Sequence, residues 1–198
     1  QQYPALDIAS KYNFKTIVSD RDINCFCKVH CDIFLNIDGR DIENLLSAGL
    51  CLKETYEIVG IFTFTELTTS VALLSKALNL PGVNYLDSLK AQDKGITKTI
   101  WNKKTINTPK GFLVQNANDL ASLNLSFPIL IKPVISSGGL GIVELKNSKE
   151  FDSWYLEYGR FINFEHRVVV EEKENGSSYD VNGIFDSDGK FHEYGIVK

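Results

Sequence analysis

The sequence has no methionine, only two tryptophans and five prolines, and no surplus of basic residues. Each shortage excludes something. Its 21 lysines and arginines are outnumbered by 25 aspartates and glutamates and are scattered, which argues against a nucleic-acid-binding surface. No apolar run approaches the roughly 20 residues that a membrane-spanning helix needs, and no basic-then-apolar leader opens the chain. A cytoplasmic protein without a membrane partner is therefore expected. There is no repeat, no low-complexity tract and no obvious flexible linker. The GK[ST] signature of a Walker A loop is missing, as is the GxGxxG spacing of a dinucleotide fingerprint. The lack of methionine, with Gln1 in first place, leads us to expect a fragment or a sequence from which residues are missing.

What is present describes an ordinary globular chain: 198 residues, 43% hydrophobic and 23% charged, enough for one large or two small domains. Its four cysteines are Cys25, Cys27, Cys31 and Cys51. With His30 they suggest a soft-metal site, but CxC followed by CxxxC is not a usual zinc spacing, and reduced, partly buried thiols are expected. No metal ligand is assigned.

Residues 5–12 carry apolar positions at helical spacing, and Asn13 suits the helix end. Strands are predicted at 15–19, 31–37 and 58–64, and helices at 41–56 and 66–80. Strands alternating with helices imply a parallel sheet covered on both faces. Because such a unit normally begins with a strand, one strand is expected to be missing before Gln1.

The character changes near Tyr85. Residues 87–104 read as two helical pieces joined around 92–95, with a solvated lysine face formed by most of Lys94, Lys98, Lys103 and Lys104. A strand at 111–114, a helix capped by 118–120 and a helix at 148–159 follow. Phe151, Trp154, Tyr155 and Tyr158 are expected on the core side of that last helix. A strand at 167–172 ends in paired acids, and a hairpin at 178–198 turns at 186–189, where Asp186 and Asp188 read as turn residues.

The most informative stretch runs from 127 to 144, FPILIKPVISSGGLGIVE. A buried strand delivers Lys132, fixed by Pro133, and a loop of small residues follows. Glycines let backbone N–H groups approach an anion, hydroxyls add donors, and a strand-held ammonium supplies a point charge. The same stretch would also make a β-hairpin whose glycine-rich turn binds nothing.

Three elements in order carry a resemblance to the ATP-grasp superfamily: Asp93-Lys94 ahead of a helix leading to Thr108-Pro109; residues 128–133 with their glycine loop; and residues 168–172 followed by Gly176 and 179–181. Residues 1–92 resemble the Rossmann-like domain that precedes the ATP-grasp domain in carbamoyl-phosphate synthase large subunits. The resemblance implies an α/β protein in two parts. A Rossmann-like parallel-sheet domain, lacking its first strand, occupies 1–92, and an incomplete ATP-grasp α+β domain occupies 93–198.

It further implies that Lys94 and Lys132 contact the phosphates of ATP, and that Ser136, Ser137, Gly138, Gly139 and Gly141 form a flap over them. Glu171 and Glu172 would begin the hinge that reads the adenine edge. Ser178 stands where the family usually has an acid contacting the ribose, and Lys173 and Glu174 stand at commonly apolar hinge positions. The acidic Mg²⁺ ligands and the catalytic Asn and Arg are expected beyond Lys198, so no catalytic residue is assigned. The implied activity is an ATP-dependent carboxylate–amine ligation through an acyl phosphate, with ATP and a small carboxylate or amine as partners and a homodimer as the expected assembly. Two alternatives are a non-catalytic ATP-grasp-like nucleotide-binding or regulatory module, and a dinucleotide or sugar-nucleotide binder.

Overall fold

A computed structural model describes residues 3–186 and 188–198. Helix α1, Tyr3–Lys11, ends at Asn13, whose φ of 60° lies in the left-handed region that asparagine tolerates. Strand β1, Ile17–Ser19, pairs in parallel with β2, Ile33–Leu35. Asp32 clamps the start of this pair by accepting from the backbone N–H and the hydroxyl of Thr16 at 2.7 and 2.9 Å. Helix α2, Ile42–Lys53, is capped by Asp41, and helix α3, Thr68–Ala77, packs against it.

The strand expected at 58–64 does not form. Thr63 and Thr65 turn their hydroxyls toward each other and toward nearby backbone N–H groups, and Phe62 and Phe64 meet edge to face at 5.5 Å. Local side-chain bonding of this kind competes with a sheet ladder wherever no neighbouring strand offers one. Among the described residues the parallel sheet therefore has two strands.

Helices α4, Tyr85–Gln92, and α5, Lys94–Lys103, meet at Asp93, which ends the first and caps the second. A four-stranded antiparallel sheet follows: β3, Gly111–Val114; β4, Ile129–Pro133; β5, Val143–Leu145; and β6, Val168–Glu172, in the order β3-β6-β4-β5. Helix α6, Ala117–Ala121, is capped by Asn116 rather than by residues 118–120, because the Asn116 carboxamide accepts from both Asn118 and Asp119. Helix α7, Ser148–Tyr158, covers the same sheet face as α6.

Side chains alternate across that sheet. One face is apolar, with Val114, Ile129, Ile131, Leu145 and Val170 buried beneath Leu120, Ile162, Phe151, Trp154 and Tyr155. Tyr158 departs from its expected place: it is exposed, its ring tilted 33° to that of Trp154 at 6.0 Å. The other face carries Leu113, Leu130, Lys132, Val169 and Glu171, and α5 lies along its β3 and β6 side. Gly95 allows that approach, since a Cβ there would come within 2.5 Å of Leu113.

Strands β7, Asp180–Phe185, and β8, Phe191–Val197, form an antiparallel hairpin. Asp186 organises its turn by accepting from the N–H groups of Asp188 and Lys190 and pairing with His192 at 2.6 Å. No helix among the described residues is long and apolar enough to cross a membrane. The cysteines carry free thiols, Cys25, Cys27 and Cys31 half-buried and Cys51 exposed against expectation. His30 packs between the rings of Tyr3 and Phe26, each at 4.6 Å.

Candidate functional site

Lys132 and Glu171 lie on neighbouring antiparallel strands, two residues off direct opposition and so on the same face, and their side chains pair. Directly opposite Glu171 on its other flank is Gly111, which leaves its side chain room. The second carboxylate oxygen, Oε2, accepts from Lys98 at 2.9 Å. Lys98 also donates to the Thr108 hydroxyl at 2.9 Å and to the Pro109 carbonyl at 2.7 Å. All three ammonium hydrogens of Lys98 are thus satisfied by protein, and its side chain is 4% exposed. This corrects the expectation of a solvated lysine face, which holds for Lys103 and Lys104. Burial pushes the Glu171 carboxyl up, but the hydrogen bonds and charges of Lys132 and Lys98 outweigh it and hold the group below the usual glutamate range.

Lys94 opens α5 and reaches the glycine loop. Its ammonium donates to the Ser136 carbonyl at 2.5 Å and lies 3.2 Å from the Ser136 hydroxyl, while its backbone N–H donates to the Val134 carbonyl. Asp93 fixes the helix start. One carboxylate oxygen accepts from the Ile96 N–H at 2.9 Å and the other from the Arg167 guanidinium at 2.8 Å. The Arg167 carbonyl in turn accepts from the Val134 N–H. The start of α5, the end of β4 and the start of β6 are therefore tied into one corner, where Lys94 meets the loop, and Lys132 lies on β4 just before it. Neither Asp93–Arg167 nor Lys98–Glu171 was visible in the sequence. A clue existed in Gly95, Lys98 and Asn102, which share the α5 face toward the sheet, where the Asn102 carboxamide donates to the Gly111 carbonyl.

The loop itself stands in solvent. Gly138, Gly139 and Gly141 have φ of 61°, 76° and 76°, a conformation that suits glycine, and added side chains at 138 and 139 would meet nothing within 4 Å. Ser137 is exposed, and its carbonyl accepts from the Leu140 N–H.

Glu171 and Glu172 do not act as a pair. Alternation along β6 sends Glu172 to the other face, where it accepts from the Ser126 N–H at 2.7 Å. Beyond β6 the backbone is irregular, anchored by the Lys173 N–H on the Pro128 carbonyl and by Lys173 pairing with Glu144 at 2.6 Å. Ser178 is exposed in this segment. Among the described residues no three carboxylates, imidazoles or thiols converge, so these residues alone do not fit a divalent metal.

No family model matches the chain. Its fold is found in L-amino acid ligase from Bacillus licheniformis, with a TM-score of 0.75 at 20% identity over 99% of this chain and 48% of that one. It is found again in N5-carboxyaminoimidazole synthetase from Staphylococcus aureus complexed with ADP, with a TM-score of 0.77 at 18% identity over 98% of this chain and 50% of that one. The fold is the mixed α/β, ATP-grasp-like one of these neighbours. In sequence, the chain is 26% identical over 112 residues to a D-alanine–D-alanine ligase of Pseudomonas putida (strain GB-1), covering 54% of this chain and 34% of that protein. The chain thus spans about a third of that curated relative and about half of the solved structures.

Proposed function

We propose that the protein binds ATP at the corner made by Lys94, Lys132 and the 136–141 loop, and that it serves an ATP-dependent carboxylate–amine ligase. One lysine that reaches the glycine loop, and a second on the strand that runs into it, are the observation that carries this reading. A triphosphate needs several positive donors held in place, and Lys94 and Lys132 supply two from different elements. Both are parked on protein oxygens, Ser136 and Glu171, which an anion would replace or share. The loop, free of side-chain contact at 138 and 139, is suited to close over the phosphates. The backbone after Glu172 is the segment we assign to the adenine edge. We divide the chain at Asp93, with 1–92 as a Rossmann-like unit and 93–198 as the nucleotide-binding unit. The likeness to carbamoyl-phosphate synthase we keep for the arrangement of residues 1–92 alone.

In the reaction proposed, a substrate carboxylate attacks the γ-phosphorus and ADP leaves, giving an acyl phosphate. An amine then attacks the acyl carbon, inorganic phosphate leaves, and an amide forms. Lys94 and Lys132 hold the phosphate oxygens in line and offset their charge, so that positioning and electrostatics carry most of the catalysis. Mg²⁺ accompanying the triphosphate would add to this neutralisation, with ligands outside the described residues. The test is phosphate release from ATP by the full-length protein across panels of carboxylic acids and amines. Release that requires one member of each panel is expected.

One observation favours a second reading. Ser178 offers no carboxylate at the ribose position and lies exposed. A binding or regulatory module would hold ATP without turnover, and tight binding with no acid-dependent phosphate release would select it.

A further inference from the structure

We propose that Lys98, which reaches no solvent-facing ligand position, sets the anion affinity of the site by sharing the charge of Glu171 with Lys132. The inference rests on the nucleotide reading above. Glu171 offers one oxygen to each of two ammonium groups, so the three side chains together carry a single positive charge. Lys98 is sealed in protein by Glu171, Thr108 and Pro109, whereas Lys132 retains 22% exposure. The surplus charge is therefore presented at Lys132, on the strand that runs into the glycine loop. Remove Lys98, and Glu171 is left to neutralise Lys132 alone. Remove the charge of Glu171, and the charges of both ammonium groups act on the site unbalanced, that of Lys98 from within the protein. Lys98 is a positioning residue in this scheme: it acts through Glu171 and touches no phosphate.

A charge a few ångströms from the binding position, at an effective dielectric near 20, changes anion affinity by about tenfold or more. The sign is what separates this role from a structural one. A residue needed only for packing weakens binding however it is altered, whereas charge sharing makes two neighbouring substitutions act in opposite directions and cancel.

The experiment is a calorimetric titration of the full-length protein with inorganic tripolyphosphate and, separately, with ATP. Wild type would be set against Lys98→Met, Lys98→Arg, Glu171→Gln and the double variant Lys98→Met/Glu171→Gln. We expect Lys98→Met to bind tripolyphosphate about tenfold more weakly and Glu171→Gln about tenfold more tightly. The double variant should return close to wild type, and Lys98→Arg should bind better than Lys98→Met. Glu171→Gln is isosteric, so it alone decides the sign if Lys98→Met fails to fold. Weaker binding by Glu171→Gln, or equal losses in both single variants, overturns the inference. If wild type binds tripolyphosphate but not ATP and the variants keep the expected order, the nucleotide reading fails and charge sharing stands. If ATP binds and the variants match wild type, charge sharing fails and the nucleotide reading stands. Failure to bind either probe overturns both.

Discussion

The four-stranded sheet and the β7–β8 hairpin use the same kinds of residue and differ in what covers them. Valines and isoleucines of the sheet reach 0–3% exposure at Ile129, Ile131, Val169 and Val170, whereas Val181, Ile184, Ile196 and Val197 of the hairpin lie near 60%. Pairing in the hairpin is local, closed by one turn, while the sheet is held together by β6, which pairs with β3 and β4 from far along the chain. Hydrogen-bonded strands are therefore not sufficient for a core, and burial comes from the helices that long-range topology brings in. The lysine cluster belongs to the region that has such cover.

The largest test of this contrast is a pair of truncations. Ile131→Ala should cost about 3 kcal/mol in urea unfolding, because it opens a cavity in a filled core. Ile184→Ala in the hairpin should stay within about 0.5 kcal/mol. Equal costs would break the comparison. Next in size is Arg167→Gln, which leaves the buried Asp93 without its cation and loosens the corner that holds Lys94. A loss of about 2 kcal/mol is expected in the same measurement.

Acid titration sharpens the contrast further. The Glu171 carboxyl is held below its ordinary range in the folded protein, so its stabilisation is present above the unfolded value of about 4.3 and is lost as pH falls through the lower folded value. Stability measured from pH 6 down to pH 3 should fall less steeply in Glu171→Gln than in wild type. The smallest effect belongs to the hairpin turn. Hydrogen bonding from His192 lowers the Asp186 carboxyl too, but in open solvent, and Asp186→Asn should leave the global unfolding midpoint unchanged.

The same contrast explains what could be read from the sequence. Local signals were legible: β3 was placed at 111–114 as found, the hairpin turn was placed at 186–189, and the junction of α4 and α5 fell within 92–95. Lys132 and the glycine loop were picked out by residue type and order and Lys94 by the resemblance alone, and Lys94 does reach the loop that follows the Lys132 strand. Long-range pairings were not legible. Asp93 meets Arg167 across 74 positions, and the Lys98 partner Glu171 is equally remote in sequence. Side-chain alternation, which separates Glu171 from Glu172, was available in the sequence but needed the strand register to show which acid faces the lysines. The apolar run at 58–64 failed as a strand because periodicity does not supply a neighbour.

The most direct test of the account is the affinity of the full-length protein for ATP in the presence of Mg²⁺, measured for wild type and Lys132→Ala. The account predicts binding by wild type and a loss of about a hundredfold or more in the variant, since a partly buried triphosphate would lose a charge-assisted partner. Unchanged affinity in Lys132→Ala would contradict it.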